Sequence, residues 1–161
     1  MTDENTTDPR IGFTPEEVDP TVSTRAARLK WVVVVDRDLP SGRAVNAAVC
    51  VAAATQSAVT GLLGEDATDA EGTVHPGLPW AGCSVLAADA DTLRAIRAKA
   101  ASYADTFVAD MPVTAQETLV YADYRAAVGK TATDDLVYCA VSIVGPRNRV
   151  GKIVGKLPLL Q

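Results

Sequence analysis

The sequence predicts an α/β sandwich, a fold in which helices cover both faces of a β-sheet. Four apolar runs of strand length alternate along the chain with four segments of helical character, and this alternation is typical of the α/β class. The first run, from Leu29 to Asp36, is rich in valine and shows no alternation of polar and apolar residues. Such a run indicates a strand that is covered on both faces. We therefore expect residues 29–36 to form a central strand.

The first helix is expected from Arg43 to Leu63, because alanine, valine and leucine dominate this stretch and it holds no proline. Its apolar residues, Val45 and Val49 among them, do not fall on one side only. A helix that is apolar all round is buried or lies in an oligomer interface. We therefore expect a homodimer with twofold symmetry, since an unpaired apolar surface normally marks an interface.

The remaining elements follow from similar patterns. We expect further strands at 82–88, 105–109 and 136–144 and further helices at 89–104, 114–127 and 147–154. Asp89 or Asp91 is the expected N-cap of the second helix. Glu117 follows Thr114 at the spacing of a capping box. We expect residues 64–79 to form an irregular loop with a short hairpin around Gly72, because glycine and proline interrupt this stretch.

A single domain is expected from residue 28 to residue 161, since 161 residues are typical of one domain. Residues 1–27 are polar and acidic, hold three prolines and never establish an apolar period. This composition predicts a tail that is disordered or loosely attached. Ile11 and Phe13 are two apolar residues of the tail that can dock on the body.

The composition argues against several classes of function. A net charge of −5 leaves no broad basic surface for a phosphate backbone, so nucleic acid is not an expected partner. The single histidine and three cysteines show no ligand spacing, so we expect neither a metal nor another cofactor. His75 has a side chain suited to acid or base chemistry near neutral pH, but a lone surface histidine is usually solvated.

We also expect a cytoplasmic protein that does not enter a membrane. The first residues lack the basic start and apolar core of a signal peptide. The longest apolar stretch is interrupted by polar residues that a membrane would not accept. Cys50, Cys83 and Cys139 lie in apolar runs, which favours buried, reduced thiols.

Two groups of motifs carry a resemblance to known families. The stretch Lys30-Trp31-Val32-Val33-Val34-Val35-Asp36-Arg37-Asp38-Leu39, the pair Gly42-Arg43 that opens an alanine-rich helix, and the ending Ile143-Val144-Gly145-Pro146 with Ile153 to Leu160 resemble peptidyl-tRNA hydrolase type II. The resemblance is closer to the DUF2000 family, an uncharacterised branch of that fold, through Asp38-Leu39, Asn46, Gly64-Glu65, Asp69 to Gly72, Asp123 to Ala127 and Gly145-Pro146. It implies a three-layer sandwich with a four-stranded mixed sheet.

The chain departs from the active hydrolases at the residues that matter for their chemistry. The resemblance places a catalytic lysine and glutamine where this chain has Val45 and Val49, and a hydrophobic pair cannot polarise a carbonyl or orient water. Asp110 and Thr114 do match the family's Asp-Ala-Gly-x-Thr site by spacing, although Met111-Pro112 replaces Ala-Gly. We therefore do not expect hydrolysis of peptidyl-tRNA, and the acidic composition agrees with this expectation.

Five residues are candidates for a functional site. Asp110 and Thr114 are the catalytic candidates, although both residue types also suit the capping of a following helix. Gly42, Arg43 and Asn46 are candidates for ligand binding, because a helix N-terminus offers free amides and a guanidinium binds anions. Ordinary ion pairs explain the arginine equally well, and Asn46 either faces a ligand or bonds the loop backbone.

These observations leave three hypotheses for function. The first is a module that binds a small molecule or a peptide. The second is a hydrolase of a small amide or ester, in which Asp110 and Thr114 position water. The third is a structural or regulatory dimer. The sequence does not decide whether the protein is an enzyme.

Overall fold

A four-stranded mixed sheet lies between two layers of helices in the computed structural model, which describes residues 11–161. The strands are β1 (Leu29–Asp36), β2 (Ala67–Thr68), β3 (Val74–His75), β4 (Ser84–Ala88), β5 (Phe107–Pro112) and β6 (Tyr138–Pro146). The helices are α1 (Ser41–Ala58), α2 (Ala90–Ala101), α3 (Thr114–Glu117), α4 (Tyr121–Gly129) and α5 (Arg147–Val154). The strand order in the main sheet is β4-β1-β6-β5, and β2 pairs with β3 in a separate hairpin.

The strand β1 lies at the centre of the sheet, as predicted. It runs parallel to β4 on one side and antiparallel to β6 on the other, and β6 is also antiparallel to β5. The side chains from Val32 to Val35 are at most 2% exposed. The valine-rich run is therefore a strand that is covered on both faces of the sheet. The predicted α/β fold class is confirmed.

The two faces of β1 contribute to two separate hydrophobic cores, because successive side chains of a strand point to opposite faces. Trp31 and Val33 pack on the α1 side. Val32 and Val34 pack on the side of α2 and α5, together with the fully buried Leu93. The sheet thus separates a core built with α1 from a core built with the other two helices.

A chain of buried hydrogen bonds joins β1, β6 and α1. The indole Nε1 of Trp31 donates to the hydroxyl of Ser142 at 2.8 Å. The Thr55 hydroxyl donates to the carbonyl of Val51 at 2.7 Å and lies 2.7 Å from the Ser142 hydroxyl. Since Thr55 has used its only proton, Ser142 donates to Thr55. The buried polar side chains of Trp31, Thr55 and Ser142 are therefore all hydrogen-bonded.

Several element boundaries differ from the prediction. Helix α1 ends at Ala58 and not at Leu63, because Val59 adopts an extended conformation. Strand β5 continues past Ala109, since Asp110 and Met111 pair with β6. Pro112 belongs to this strand, which is possible because β5 is an edge strand and the register shifts there. The strand therefore ends at Pro112, three residues beyond the predicted end at residue 109.

The predicted helix at 114–127 consists of two helices, α3 and α4, because Thr118 is extended. Two other predictions, the N-cap of α2 and the hairpin around Gly72, are confirmed. The Asp89 side chain accepts a hydrogen bond from the amide of Thr92 at 2.8 Å, which confirms it as the N-cap of α2. A hairpin forms around Gly72, whose φ of +88° is readily adopted only by glycine.

The segment before β1 contacts the body of the protein. The ring of Phe13 is buried, with its centroid 4.9 Å from that of Trp80, and its amide donates to the carbonyl of Thr60 at 2.9 Å. Glu17 accepts a hydrogen bond from Arg28 at 2.6 Å. Residues 1–10 of the predicted tail lie outside the described residues, and the domain boundary at residue 28 stays a prediction.

The three cysteines do not share one environment. Cys139 is buried, but Cys50 and Cys83 are exposed, and all three are free thiols. The prediction of burial was wrong for two of them, because apolar neighbours in sequence do not fix which way a side chain points.

Over residues 11–161, no helix combines the length and the apolar character that a membrane crossing requires.

Candidate functional site

A groove opens beside the edge strand β5, between α1 and the segment that joins α3 to α4. Its volume is about 380 Å³. Val51 and Ala54 of α1 line one wall, and Met111 of β5 lies at the sheet edge. Leu119 and Tyr121 line the opposite wall. Most of this lining is apolar, so the groove can remove an apolar molecule from water.

The spacing of residues along α1 explains why one helix both packs on the sheet and lines the groove. Ala47, Val51 and Thr55 recur at intervals of four residues and are buried against the sheet. Ala54 lies beside this stripe and is exposed to the groove. Because its side chain is a single methyl group, the space next to the helix stays open.

The opposite wall exposes three large apolar side chains in succession. Leu119 is 103% exposed, Val120 is 55% exposed and Tyr121 is 75% exposed. They follow the break at Thr118, where the chain leaves α3 and turns into α4. Water is in contact with an apolar surface here, which is a feature of interaction sites in soluble proteins.

One end of the groove carries polar groups. Asp110 lines the groove, and its carboxylate accepts a hydrogen bond from Nε of Arg97 on α2 at 3.0 Å. Burial, followed by the negative charge of Asp110, raises the pKa of Tyr124 above its usual value. The Tyr124 hydroxyl therefore keeps its proton at neutral pH and can donate a hydrogen bond to a ligand.

The two catalytic candidates do not converge on one point. Asp110 lies in the edge strand β5, where it borders the groove and its carboxylate is paired with Arg97 of α2. Thr114 is the first residue of α3, and its hydroxyl oxygen is buried without a hydrogen-bond partner among residues 11–161. Neither side chain caps a helix, since Val113 occupies the N-cap of α3. The capping interpretation of both residues was therefore wrong.

Two of the three ligand-binding candidates are instead linked to Gln116 of α3. The Gln116 amide nitrogen donates to the carbonyl of Arg43 at 2.9 Å and to Oδ1 of Asn46 at 3.1 Å. Nε of Arg43 donates back to Oε1 of Gln116 at 2.7 Å. Gly42 is exposed at the start of α1, with open space where a Cβ would lie. These contacts hold α3 against the first turn of α1 and thereby position the groove wall.

Gln116 is a residue that sequence reasoning missed. It sits in a four-residue helix without an amphipathic pattern, and its partners lie 70 and 73 positions earlier in the chain. No pattern in the neighbouring sequence indicates such a contact.

The single histidine, His75, is exposed on the β2–β3 hairpin and lies 3.3 Å from Asp69. Across residues 11–161, no three His, Cys, Asp or Glu side chains cluster as metal ligands would.

Comparison with known proteins assigns the family. The family model of DUF2000, described as a protein of unknown function, matches residues 29–161. The chain belongs to the DUF2000 family. The predicted resemblance to this family is thereby confirmed.

The DUF2000 domain also resembles a solved structure, that of Atu0240, a protein of unknown function from Agrobacterium tumefaciens strain C58. The TM-score is 0.76 at 20% sequence identity, and the alignment covers 82% of this chain and 97% of the other. At this identity the likeness supports a shared fold and carries no information on activity. None of the curated proteins compared with the DUF2000 domain matches it.

Proposed function

We propose that this protein is a binding module for a small, largely apolar molecule, which it holds in the groove beside β5. The observation that carries the proposal is the combination of apolar walls with a few polar groups at one end. A cavity of about 380 Å³ with this lining is within the range of small-molecule sites. Most binding sites in proteins share this arrangement, in which apolar contact gives affinity and polar groups fix orientation.

The lining indicates the chemistry of the ligand. An aliphatic or aromatic body fits between Ala54, Met111 and Leu119. At the polar end, the Tyr124 hydroxyl can donate to an acceptor, and Asp110 has lone pairs beyond the one that Arg97 uses. The expected ligand therefore has one polar group at the end of an apolar body.

We include in the proposal a fold relationship to peptidyl-tRNA hydrolase type II without its activity. The motifs of β1 and of the last helix support the relationship. Val45 and Val49, at the places of the catalytic lysine and glutamine, are 60% and 62% exposed and offer no group that polarises a carbonyl. The alternative hydrolase is less well supported, because Asp110 is paired with Arg97 and the Thr114 hydroxyl is enclosed.

Filling the groove should abolish binding of an apolar probe. The substitution Ala54→Trp places an indole in the space beside α1, and we expect it to weaken binding of the neutral dye N-phenyl-1-naphthylamine by at least about tenfold. Fluorescence titration measures the effect. Ala98→Trp, an equivalent change at an exposed position of α2, is the control and should leave binding unchanged. Equal binding by both variants, or no saturable binding by the unmodified protein, would contradict the proposal.

A homodimer is the second proposal, and the outer face of α1 supports it. No charged residue occurs from Ala44 to Gly64, so this face lacks the charges that would repel an identical copy. Val45 and Val49 are exposed there one turn apart. A twofold interface brings the same surface together from both subunits, and an uncharged apolar stripe is complementary to itself.

Light scattering at micromolar concentration tests the dimer. We expect a mass close to twice the chain mass of 16.8 kDa, and we expect Val49→Glu to shift it to the monomer, because the new carboxylates would be buried without partners. Val74→Glu is the matched control, since Val74 is similarly exposed but lies on the β2–β3 hairpin. A mass near 16.8 kDa for the unmodified protein would refute this proposal.

A further inference from the structure

A second cavity, of about 320 Å³, lies far along the sheet from the groove, where the parallel strands β1 and β4 begin. It is bounded by these two strand starts, by the short 3-10 helix Thr24–Ala26 and by the first residue of α5. Its lining is mainly polar and includes Arg25, Lys30 and Arg147. Three cationic side chains, two from nearby positions before and within β1 and one from α5, thus meet at one concave site.

These three cations lack anionic partners in the part of the chain that the structure describes. None of them forms an ion pair with a carboxylate there, whereas Arg28, Arg97 and Arg149 each do. The cavity lining contains no aspartate or glutamate. In a protein with a net charge of −5, a site with three basic groups and no acid is a local reversal of the overall charge.

Arg147 is held in a fixed orientation by the backbone. Its Nε donates to the carbonyl of Ala27 at 2.9 Å, and one terminal nitrogen donates to the carbonyl of Thr24 at 2.8 Å. The planar guanidinium is therefore anchored on one side, and its other terminal nitrogen is left for a ligand. Because the Arg147 side chain is already ordered, less of its conformational entropy is lost when a ligand binds.

Neutral donors complete the lining. Thr24 and Ser84 contribute hydroxyl groups, and Gly82 brings backbone close to the cavity. Cys83 also lines the cavity, and desolvation by the neighbouring protein atoms raises the pKa of its thiol. The thiol therefore stays protonated at neutral pH and adds no negative charge that would repel an anion.

We propose that this cavity binds the phosphate group of a small phosphorylated molecule. A phosphate monoester carries a charge of about −1.5 to −2 near neutral pH and three acceptor oxygens, which match several cations better than a singly charged carboxylate does. The volume of about 320 Å³ leaves room for the phosphate and part of the molecule that carries it. The site is separate from the groove and does not depend on its function.

Inorganic phosphate is the probe for this proposal, observed by two-dimensional NMR of the intact chain. We expect saturable shifts of the amides of residues 30–31 and 82–84, which line the cavity. Lys30→Gln and Arg25→Gln should each weaken binding by about tenfold. Arg147 is left unchanged in these variants, because its bonds to the backbone also support the fold.

Lys152→Gln is the matched control, since Lys152 lies on α5 outside the cavity and its loss changes the net charge equally. It should leave phosphate binding unchanged. Equal weakening by Lys152→Gln would show nonspecific attraction and overturn the proposal. Acetate binding as tight as phosphate, or tighter binding of a DNA oligonucleotide with shifts spread along α5, would also overturn it, as would the absence of saturable shifts.

Discussion

Replacing Leu93 with alanine should lower the free energy of unfolding by about 2–5 kcal/mol, the usual cost of a large-to-small change in a packed core. Leu93 is 0% exposed and packs in the core between the sheet and the helices α2 and α5. The substitution removes three carbon atoms from contact with their neighbours and leaves a cavity. Because both helices share this core, the loss affects one entire face of the sheet.

Chemical denaturation followed by circular dichroism measures this effect. Leu78→Ala is the control, since Leu78 is 78% exposed and the same substitution should change the unfolding free energy by less than about 0.5 kcal/mol there. If both variants lost the same stability, the described packing of α2 on the sheet would be incorrect.

The second large effect is expected at Ser142. Ser142→Ala should cost about 1–3 kcal/mol, because it leaves the indole N–H of Trp31 buried without an acceptor. The Thr55 hydroxyl keeps its bond to the carbonyl of Val51, so the orphaned group is the indole. The cost comes from desolvation of an unpaired donor and not from lost volume.

A double-mutant cycle with Trp31→Phe isolates the interaction. Once the indole N–H is gone, Ser142→Ala should cost less than it does alone, with a coupling of about 0.5–3 kcal/mol. Ser84→Ala, on the neighbouring strand β4, is the control and should not couple to Trp31 in this way. Strictly additive costs for Trp31 and Ser142 would mean that the described hydrogen bond does not contribute to stability.

The sequence was sufficient to predict the sheet and most helices because their signals are local. The valine run of β1 and the amphipathic period of α2 each follow from residues within one element. Predictions made from local sequence patterns were wrong where tertiary contacts determine the structure. The spacing of Thr114 and Glu117 suggested a capping box, but Val113 is the N-cap and the Thr114 hydroxyl is enclosed. Strand β5 runs three residues past its predicted end and includes Pro112, which an edge strand can accommodate.

Neither site could be assembled in this way, although Asp110, one of the predicted candidates, lines the groove. The groove exists because α3 packs against α1, a contact made by Gln116 with residues 70 or more positions away. The cationic cavity joins Arg25 and Lys30 to Arg147, and each of these looks like an ordinary surface residue when read alone. Sequence patterns predict where a single helix or strand lies. A site depends on which elements pack together in the folded protein.

The contacts of Gln116 determine the width of the groove, whereas other residues determine its chemistry. One side chain, which lies outside the groove lining, fixes the distance between α3 and the start of α1. A shorter or bulkier residue there would narrow or widen the opening while Ala54, Met111 and Leu119 stayed the same. The size of ligand admitted and the kind of surface it meets can therefore vary independently, through different residues.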